Sequence, residues 1–450
     1  MFNLSIDLTK DKILKSLILF AIPIFISNIF QQLYNTADTM IIGNVLGDSS
    51  LAAIGACTAV YDLLVGFALG VGNGLSIVVA RSYGSKDEVL LKRSVAVAIV
   101  IGIFLTLSIM IISQLGLYPL LQLLDTPSNI INESYSYIST ITLFVSVMFA
   151  YNLCAGLLRA IGNSFIPLVF LIISSVVNII LALLFVIYFK MGVRGAAVAT
   201  VIAQSISAIL CIIYIYKKTP ILIPKKEHFK FDKELYLELL GQGFSMGMMM
   251  AIVSSGTVIL QKSVNGFGYL TIAGHTTARK INAFCVMPCA TVSASLSTFV
   301  SQNKGADNRE RIIEGVKTGF KIVIVWGIIA TVLMMLFARP LIALLSGSSD
   351  PTILNNGSNY LKINSPFYGI LGILLILRNS LQGLGKKIIP LVSSVIEFTV
   401  KVLFAWLCIP YLGYFGVIIC EPVIWCLMCA QLMYSFFNNP YIKKINVINT

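Results

Sequence analysis

The residues best suited to hold a cation lie close together near the start of the chain. Asp38 follows Gln31, Tyr34 and Asn35 by seven, four and three residues, which places all four side chains on one face of a helix. A carboxylate beside neutral oxygens could line a wet cavity and bind a hard monovalent cation. The alternative is that Asp38 simply reaches water at the end of its helix.

Asn178 is a second source of neutral oxygens, about halfway along a later apolar stretch and one turn after Ser174 and Ser175. These side chains could complete a cation site, or they could only hydrogen-bond neighbouring helices. Asp62, beside Tyr61, is expected to be a second buried acid. Such an acid could carry protons or could be a hydrogen-bonded structural residue.

A further set of ionisable residues lies within apolar stretches of the second half of the chain. Glu397 and Lys401 are four residues apart, a spacing that favours an ion pair within one helix and lowers the cost of burying both. The set could face a cavity, or its charges could neutralise one another while Arg378 and Lys280 extend to the membrane interface. Its members are His275, Arg279, Lys280, Arg378, Glu397, Lys401 and Glu421.

The elements that carry these residues must be membrane-spanning helices. With 57% hydrophobic and 11% charged residues and a mean hydropathy of +0.90, no soluble domain could keep this surface in water. Each apolar stretch is long enough, at ~1.5 Å per residue, to cross ~30 Å of hydrocarbon, so we expect an all-α membrane protein. The twelve stretches are 13–34, 51–79, 94–115, 133–157, 166–188, 195–216, 236–261, 270–299, 316–338, 357–380, 388–410 and 415–437.

The placement of basic residues predicts the orientation of these spans. Of 32 Lys and Arg residues, 23 fall in segments on the side of the N-terminus, five fall on the opposite side and four lie within spans. Because basic loops stay in the cytoplasm, we expect a multi-pass protein of the plasma membrane with both termini cytoplasmic. The formal net charge of +13 is then a topology signal, and nucleic-acid binding is not expected.

The chain is internally duplicated. Arg-Ala-Ile-Gly-Asn-Ser-Phe-Ile-Pro-Leu-Val from Arg159 returns as Gln-Gly-Leu-Gly-Lys-Lys-Ile-Ile-Pro-Leu-Val from Gln382, and nearer the start of each half Gly55 returns as Gly274. We therefore predict two pseudo-symmetric six-helix bundles, an N-lobe at 1–216 and a C-lobe at 235–450, joined by a cytoplasmic linker at 217–234. Duplicated apolar chains are typical of transporters, in which two matching bundles move around a site held between them.

Several short motifs, taken in order along the whole chain, resemble the multidrug and toxin extrusion (MATE) antiporters. One of these motifs is a run of glycines, which elsewhere would suggest phosphate binding. Within an apolar helix such a run favours close helix packing. The motifs are Ile22-Pro-Ile, Asp38-Thr39, Gly43 at an expected turn, Leu51-Ala-Ala-Ile-Gly55, the run Gly66, Gly70, Gly72 and Gly74, Arg81-Ser-Tyr-Gly84 and Arg159-Ala-Ile-Gly162.

The resemblance implies a secondary active multidrug efflux transporter, not an enzyme, that exchanges organic cations or amphiphilic drugs for H+ or Na+ by alternating access. It implies no cofactor or metal beyond the coupling H+ or Na+, and as partners only a small-molecule substrate and membrane lipids, for a monomeric chain. In the prokaryotic branch with an N-lobe cation site, Asp38 and Asn178 match the coupling-ion residues and Pro23 matches a proline that bends helix 1. Ala182 and Ala251 replace acidic residues of the two bacterial branches, which leaves the ion and its stoichiometry open.

Two alternatives are kept. A lipid-linked oligosaccharide or lipid flippase of the same superfamily could use Arg279, Lys280 and Arg378 to meet a pyrophosphate, but such proteins usually have fourteen spans. An intramembrane enzyme is the second alternative. With two histidines, His228 and His275, and no His-Glu-x-x-His motif, the sequence lacks parts for metal or triad chemistry.

Overall fold

The computed structural model describes residues 6–124 and 126–443, and within them all regular secondary structure is helical. Short helical turns also occur at Pro220–Leu222, Lys226–Phe229 and Pro440–Lys443. The long helices are α1 (Ile13–Leu46), α2 (Asp48–Gly84), α3 (Glu88–Leu123), α4 (Ile131–Leu143 and Val145–Ala160), α5 (Phe165–Tyr188), α6 (Gly192–Lys218), α7 (Lys233–Asn265), α8 (Tyr269–Gly305), α9 (Arg309–Ser346), α10 (Pro351–Gly383), α11 (Ile388–Leu412) and α12 (Tyr414–Phe437).

The predicted all-α membrane fold is confirmed. In the described part of the chain, eleven helices are long and apolar enough to cross a membrane. The two segments of α4, which meet at a bend of 48°, make a twelfth if they are counted as one span. The fourteen spans usual for the flippase alternative are not found in these residues.

The first helix is longer than its apolar stretch predicts. The expected span ends at residue 34, whereas α1 continues through Asp38 to Leu46, so Gly43 lies inside the helix and not at a turn. Thr36 and Thr39 donate their hydroxyls to the carbonyls of Gln32 and Asn35, one turn back, which keeps these polar groups compatible with the helix. A span predicted from hydropathy ends where polar residues begin, whereas the backbone hydrogen bonds of a helix can continue through them.

The backbone repeats between the first half (α1–α6) and the second half (α7–α12). Both α2 and α8 have 37 residues, and each follows a glycine whose φ is about +85°, at Gly47 and Gly268. Both α5 and α11 contain a π-helical turn, at Leu184–Tyr188 and Phe404–Cys408. Glycines with a positive φ also recur in pairs. Gly162 and Gly385 follow α4 and α10, and Gly192 and Gly413 lie at the start of α6 and just before α12.

Contacts between residues divide the described chain into two compact units. The first unit contains residues 6–7 and Ile22–Ala251, and the second contains Leu8–Ala21 and residues 252–443. The divisions fall inside α1 and α7, and the lobe boundaries predicted at 216 and 235 stay predictions. In the first unit, side chains from α2, α3 and α4 form the core. In the second unit, α8 packs closely against α9 and α10.

Within the first unit, the glycine run of α2 brings that helix against the first part of α7. A β-carbon on Gly70 would lie 2.8 Å from the α-carbon of Gly247, and one on Gly74 would lie 2.6 Å from the α-carbon of Gly243. Real β-carbons do not approach a backbone so closely, so only glycine fits at these crossing points. The glycine run therefore packs two helices, as its apolar setting predicts.

Replacing Gly74 with alanine should destabilise this packing by about 1–3 kcal/mol, since the added methyl group overlaps backbone that cannot rotate away. Gly66→Ala is a matched control in the same helix, because a β-carbon at Gly66 meets nothing within 4 Å. Thermal unfolding of the purified protein in detergent should show a lower midpoint for Gly74→Ala alone. Equal midpoints for the two variants would contradict the close crossing.

Candidate functional site

A chain of hydrogen bonds joins three helices of the first unit around Asp38. The Nδ2 of Asn178 in α5 donates to the Oγ1 of Thr200 in α6 over 3.2 Å. That hydroxyl in turn donates to the Oδ2 of Asp38 in α1 over 3.4 Å. The two residues matched by family resemblance, Asp38 and Asn178, are thus brought together by a third that sequence reasoning missed.

Around these hydrogen bonds, three buried oxygens lack a hydrogen-bond donor among the described residues. They are the Oδ1 of Asp38, the Oδ1 of Asn178 and the Oε1 of Gln204, which lies one turn after Thr200 in α6. Leaving a buried acceptor unsatisfied costs about 1–3 kcal/mol, so such groups normally have a partner. A proton, a metal cation or a water molecule would each supply what these oxygens lack.

Asn178 and Gln204 line a small cavity whose wall also includes the serines predicted for the site, and Asp38 is hydrogen-bonded to Thr200 in that wall. Ser174 and Ser175 donate their hydroxyl protons to the carbonyl of Leu171, over 3.0 and 2.8 Å. With their protons used in this way, the two serines can only accept, as oxygen ligands of a cation must. The residues that line the cavity are Tyr34, Ser174, Ser175, Asn178, Thr200, Ala203 and Gln204.

Other residues expected near the site are placed differently. Tyr34 is buried and lines the cavity, but Gln31 and Asn35 are exposed and are not among the residues of its wall. Asp62 is also exposed, so the expectation of a second buried acid is wrong. It shares an exposed face of α2 with Thr58, four residues earlier, and hydropathy cannot tell which face of a helix is covered. Roles for Gln31, Asn35 and Asp62 in lining a water-filled cavity stay predictions.

In the second unit, three of the predicted charged residues form a buried network. The Nζ of Lys401 lies 2.9 Å from the Oε1 of Glu397, which is the ion pair that their spacing predicts. The Nη2 of Arg378 lies 3.6 Å from the Oε2 of Glu397, and its Nε donates to the Oγ of Ser393 over 3.0 Å. The charges of these three residues therefore partly neutralise one another, as one alternative expected, but Arg378 is only 9% exposed, so its expected extension to the membrane interface is wrong.

The remaining members of that set lie outside this network. His275 is buried, with its Nδ1 3.1 Å from the hydroxyl of Tyr414 and its ring edge-on to Tyr360. Arg279 and Glu421 are partly exposed and Lys280 is exposed. Like Asp38, Pro23 lies within the continuous helix α1, and the bend expected there stays a prediction.

Comparison with known proteins shows which family the sequence matches. The sequence model of a family described as MatE matches residues 23–184 and again 246–407, so the two matches are separated by the same interval as Arg159 and Gln382. The chain is 28% identical over 402 residues to YpnP and 26% identical over 394 residues to YoeA, both from Bacillus subtilis and both described as probable multidrug resistance proteins. The alignments cover 88% of this chain and 88% of YpnP, and 86% of this chain and 85% of YoeA.

A solved structure supports the fold over the full length. A crystal structure described as MATE in the bent conformation covers 98% of this chain and 98% of its own, with a TM-score of 0.90. Because the two sequences are only 21% identical, this likeness concerns the fold alone.

Proposed function

Because the chain belongs to the MatE family, we propose that it is a secondary active multidrug exporter that exchanges organic cations or amphiphilic drugs for H+ or Na+. The proposal is supported by three buried oxygens that lack a hydrogen-bond donor among the described residues. Those of Asn178 and Gln204 line one cavity of the first unit, and that of Asp38 belongs to a carboxylate bonded to Thr200 in the cavity wall. The descriptions of YpnP and YoeA as probable multidrug resistance proteins support the choice of cargo.

In this proposal Asp38 is the group that loads and releases the coupling ion. Its Oδ1 could take a proton, and with the oxygens of Asn178, Gln204 and the serines it could equally surround Na+. Each net elementary charge that the exchange moves inward through 100 mV releases ~2.3 kcal/mol, enough for a drug gradient of roughly fifty-fold. An exchange of one monovalent drug cation for one ion moves no net charge and is driven by the concentration gradient of that ion alone. Coupling further requires that ion and drug favour opposite conformations, since a ligand indifferent to both shifts neither.

The flippase alternative is not adopted. Arg378, one of the cations that it would use for a pyrophosphate, is already bound to Glu397 and Ser393. The intramembrane enzyme is also not adopted, since the chain matches the MatE family over both halves.

The proposed function is tested by efflux of a cationic dye such as ethidium from cells that express the protein. Na+ and pH gradients are imposed separately, and each is then collapsed with a selective ionophore. We expect dye efflux to follow one of the two gradients. Efflux that continues unchanged after both gradients are collapsed would contradict exchange with either ion.

Thr200 gives a graded test of the site. Thr200→Val keeps the shape of the side chain but removes the hydroxyl that links Asn178 to Asp38. Two hydrogen bonds are lost, each worth about 0.5–1.5 kcal/mol, so the cation concentration for half-maximal efflux should rise about 5- to 150-fold. Thr200→Ser, which keeps the hydroxyl, should stay close to the wild type. Equal behaviour of the two variants would remove Thr200 from the site.

A further inference from the structure

Because the chain is internally repeated, the principal residues of the site in the first half have counterparts in the second half. The alignment that pairs Pro167 of α5 with Pro390 of α11 also pairs Ser174 with Glu397 and Asn178 with Lys401. Neutral oxygens of α5 are thus replaced by a carboxylate and an ammonium in α11.

The same comparison extends to α6 and α12. Gly192, the first residue of α6, and Gly413, the residue before α12, both have a positive φ, and aligning them pairs Thr200 with Glu421. The hydroxyl that contacts Asp38 in the first half is therefore replaced by a second carboxylate in the second half.

The side chain of Lys401 is held in place by its neighbours. Its Nζ lies 2.9 Å from Glu397, and the whole residue is 4% exposed. Its stem lies against Gly256 of α7, where a β-carbon would come within 3.0 Å of the Cδ of Lys401. Gly256 immediately precedes Thr257, which pairs with Asp38 when the halves are aligned as Gly55 is with Gly274. Lys401 therefore reaches the part of α7 that corresponds to the ion-binding part of α1.

The charges around Lys401 show what its ammonium does there. Glu397 binds the ammonium directly, and Glu421 interacts with it electrostatically. The Nη2 of Arg378 lies 3.6 Å from the other oxygen of Glu397. Arg279 of α8 also acts on Lys401 through its field, but it makes no ion pair within the described residues. The ammonium thus occupies the carboxylate oxygen of Glu397 that a bound cation would otherwise contact.

We propose that Lys401 is a tethered cation that permanently fills the second-half counterpart of the cation site. Because it is covalently attached, no gradient can displace it, so the second half cannot load and release an ion. This inference rests on the function proposed above, and it makes that function specific. One cation is exchanged in each transport cycle, and Asp38 alone carries it.

Counting cations per chain tests this proposal. The full-length protein is purified into lipid nanodiscs, and the ion that drives dye efflux is counted as radioactive Na+ bound or as protons taken up relative to a variant. We expect one exchangeable cation in the wild type and none in Asp38→Asn. Lys401→Met should gain one, giving two per chain, and Asp38→Asn combined with Lys401→Met should bind one. Lys401→Arg, which keeps the charge, should bind one like the wild type.

Two results would overturn the proposal. One is a cation that remains in Asp38→Asn and disappears when Glu397→Gln is added, because the second half would then bind an ion despite Lys401. The other is a folded Lys401→Met protein that binds no more than the wild type. The first measurement needs no change at Lys401, so it decides the matter even if Lys401→Met fails to fold. If instead Asp38→Asn kept cation-driven efflux, the proposed function would fail, whatever the cation counts.

Discussion

Asp38→Asn is expected to reduce cation-driven dye efflux at least about 100-fold, because the proposed mechanism has no other group that loads and releases the coupling ion. A loss of about 3 kcal/mol, the upper value for a hydrogen bond to a charged group, already corresponds to this factor. Asparagine has nearly the same shape, so its amide can still contact Thr200. It cannot take up and release a proton, and it carries no negative charge to hold Na+. The measurement is dye transport into everted membrane vesicles, with the driving gradient imposed by dilution.

The matched control for this variant is Asp307→Asn. Asp307 lies between α8 and α9, outside both spans, where its carboxylate accepts a hydrogen bond from the hydroxyl of Tyr441 over 2.8 Å. Its φ is +51°, a conformation that asparagine also adopts readily, so the substitution keeps both backbone and acceptor. Efflux should stay at the wild-type level. Full ion-dependent efflux by Asp38→Asn would remove Asp38 from the coupling mechanism.

Glu397→Gln is expected to lower the stability of the folded protein by about 3–5 kcal/mol, the usual result of breaking a buried ion pair. Two cations lose their carboxylate in this variant, because Glu397 binds both Lys401 and Arg378. Glutamine retains the length of the side chain, so the loss comes from charge and not from packing. Thermal unfolding in detergent should show a clearly lower midpoint and a smaller monodisperse fraction.

Two further variants isolate the cause of that loss. Glu310→Gln makes the same change at an exposed position in the first turn of α9 and should leave the midpoint within error of the wild type. Glu397→Gln combined with Lys401→Met removes both charges of the pair and should be more stable than Glu397→Gln alone. A double variant as unstable as the sum of its single variants would show that the two charges do not interact.

Much of the architecture could be predicted from the sequence because the signals are strong and local. A span of about 20 apolar residues has few alternatives in a membrane, and the duplication fixes the second half once the first is known. The ion pair between Glu397 and Lys401 was also predictable, since both side chains belong to one helix and their spacing alone brings them together.

The candidate site was only partly predictable, since it depends on which helix faces come together. Asp62 is as polar as Asp38, yet one lies on an exposed face of α2 and the other beside Thr200. Thr200 and Gln204 were missed because single neutral polar residues are common in apolar helices. Their spacing of four residues along α6 was the available signal, and it gains meaning only when α1 and α5 are placed beside that helix.

In the proposed mechanism, drug and cation move in opposite directions through one protein. The most direct measurement uses proteoliposomes that contain the purified protein, with an ethidium gradient and no gradient of Na+ or H+ at the start. The ethidium gradient alone should drive the coupling cation the opposite way, and this movement should vanish in Asp38→Asn. Cation movement that is absent in the wild type, or that proceeds equally without ethidium, would contradict exchange.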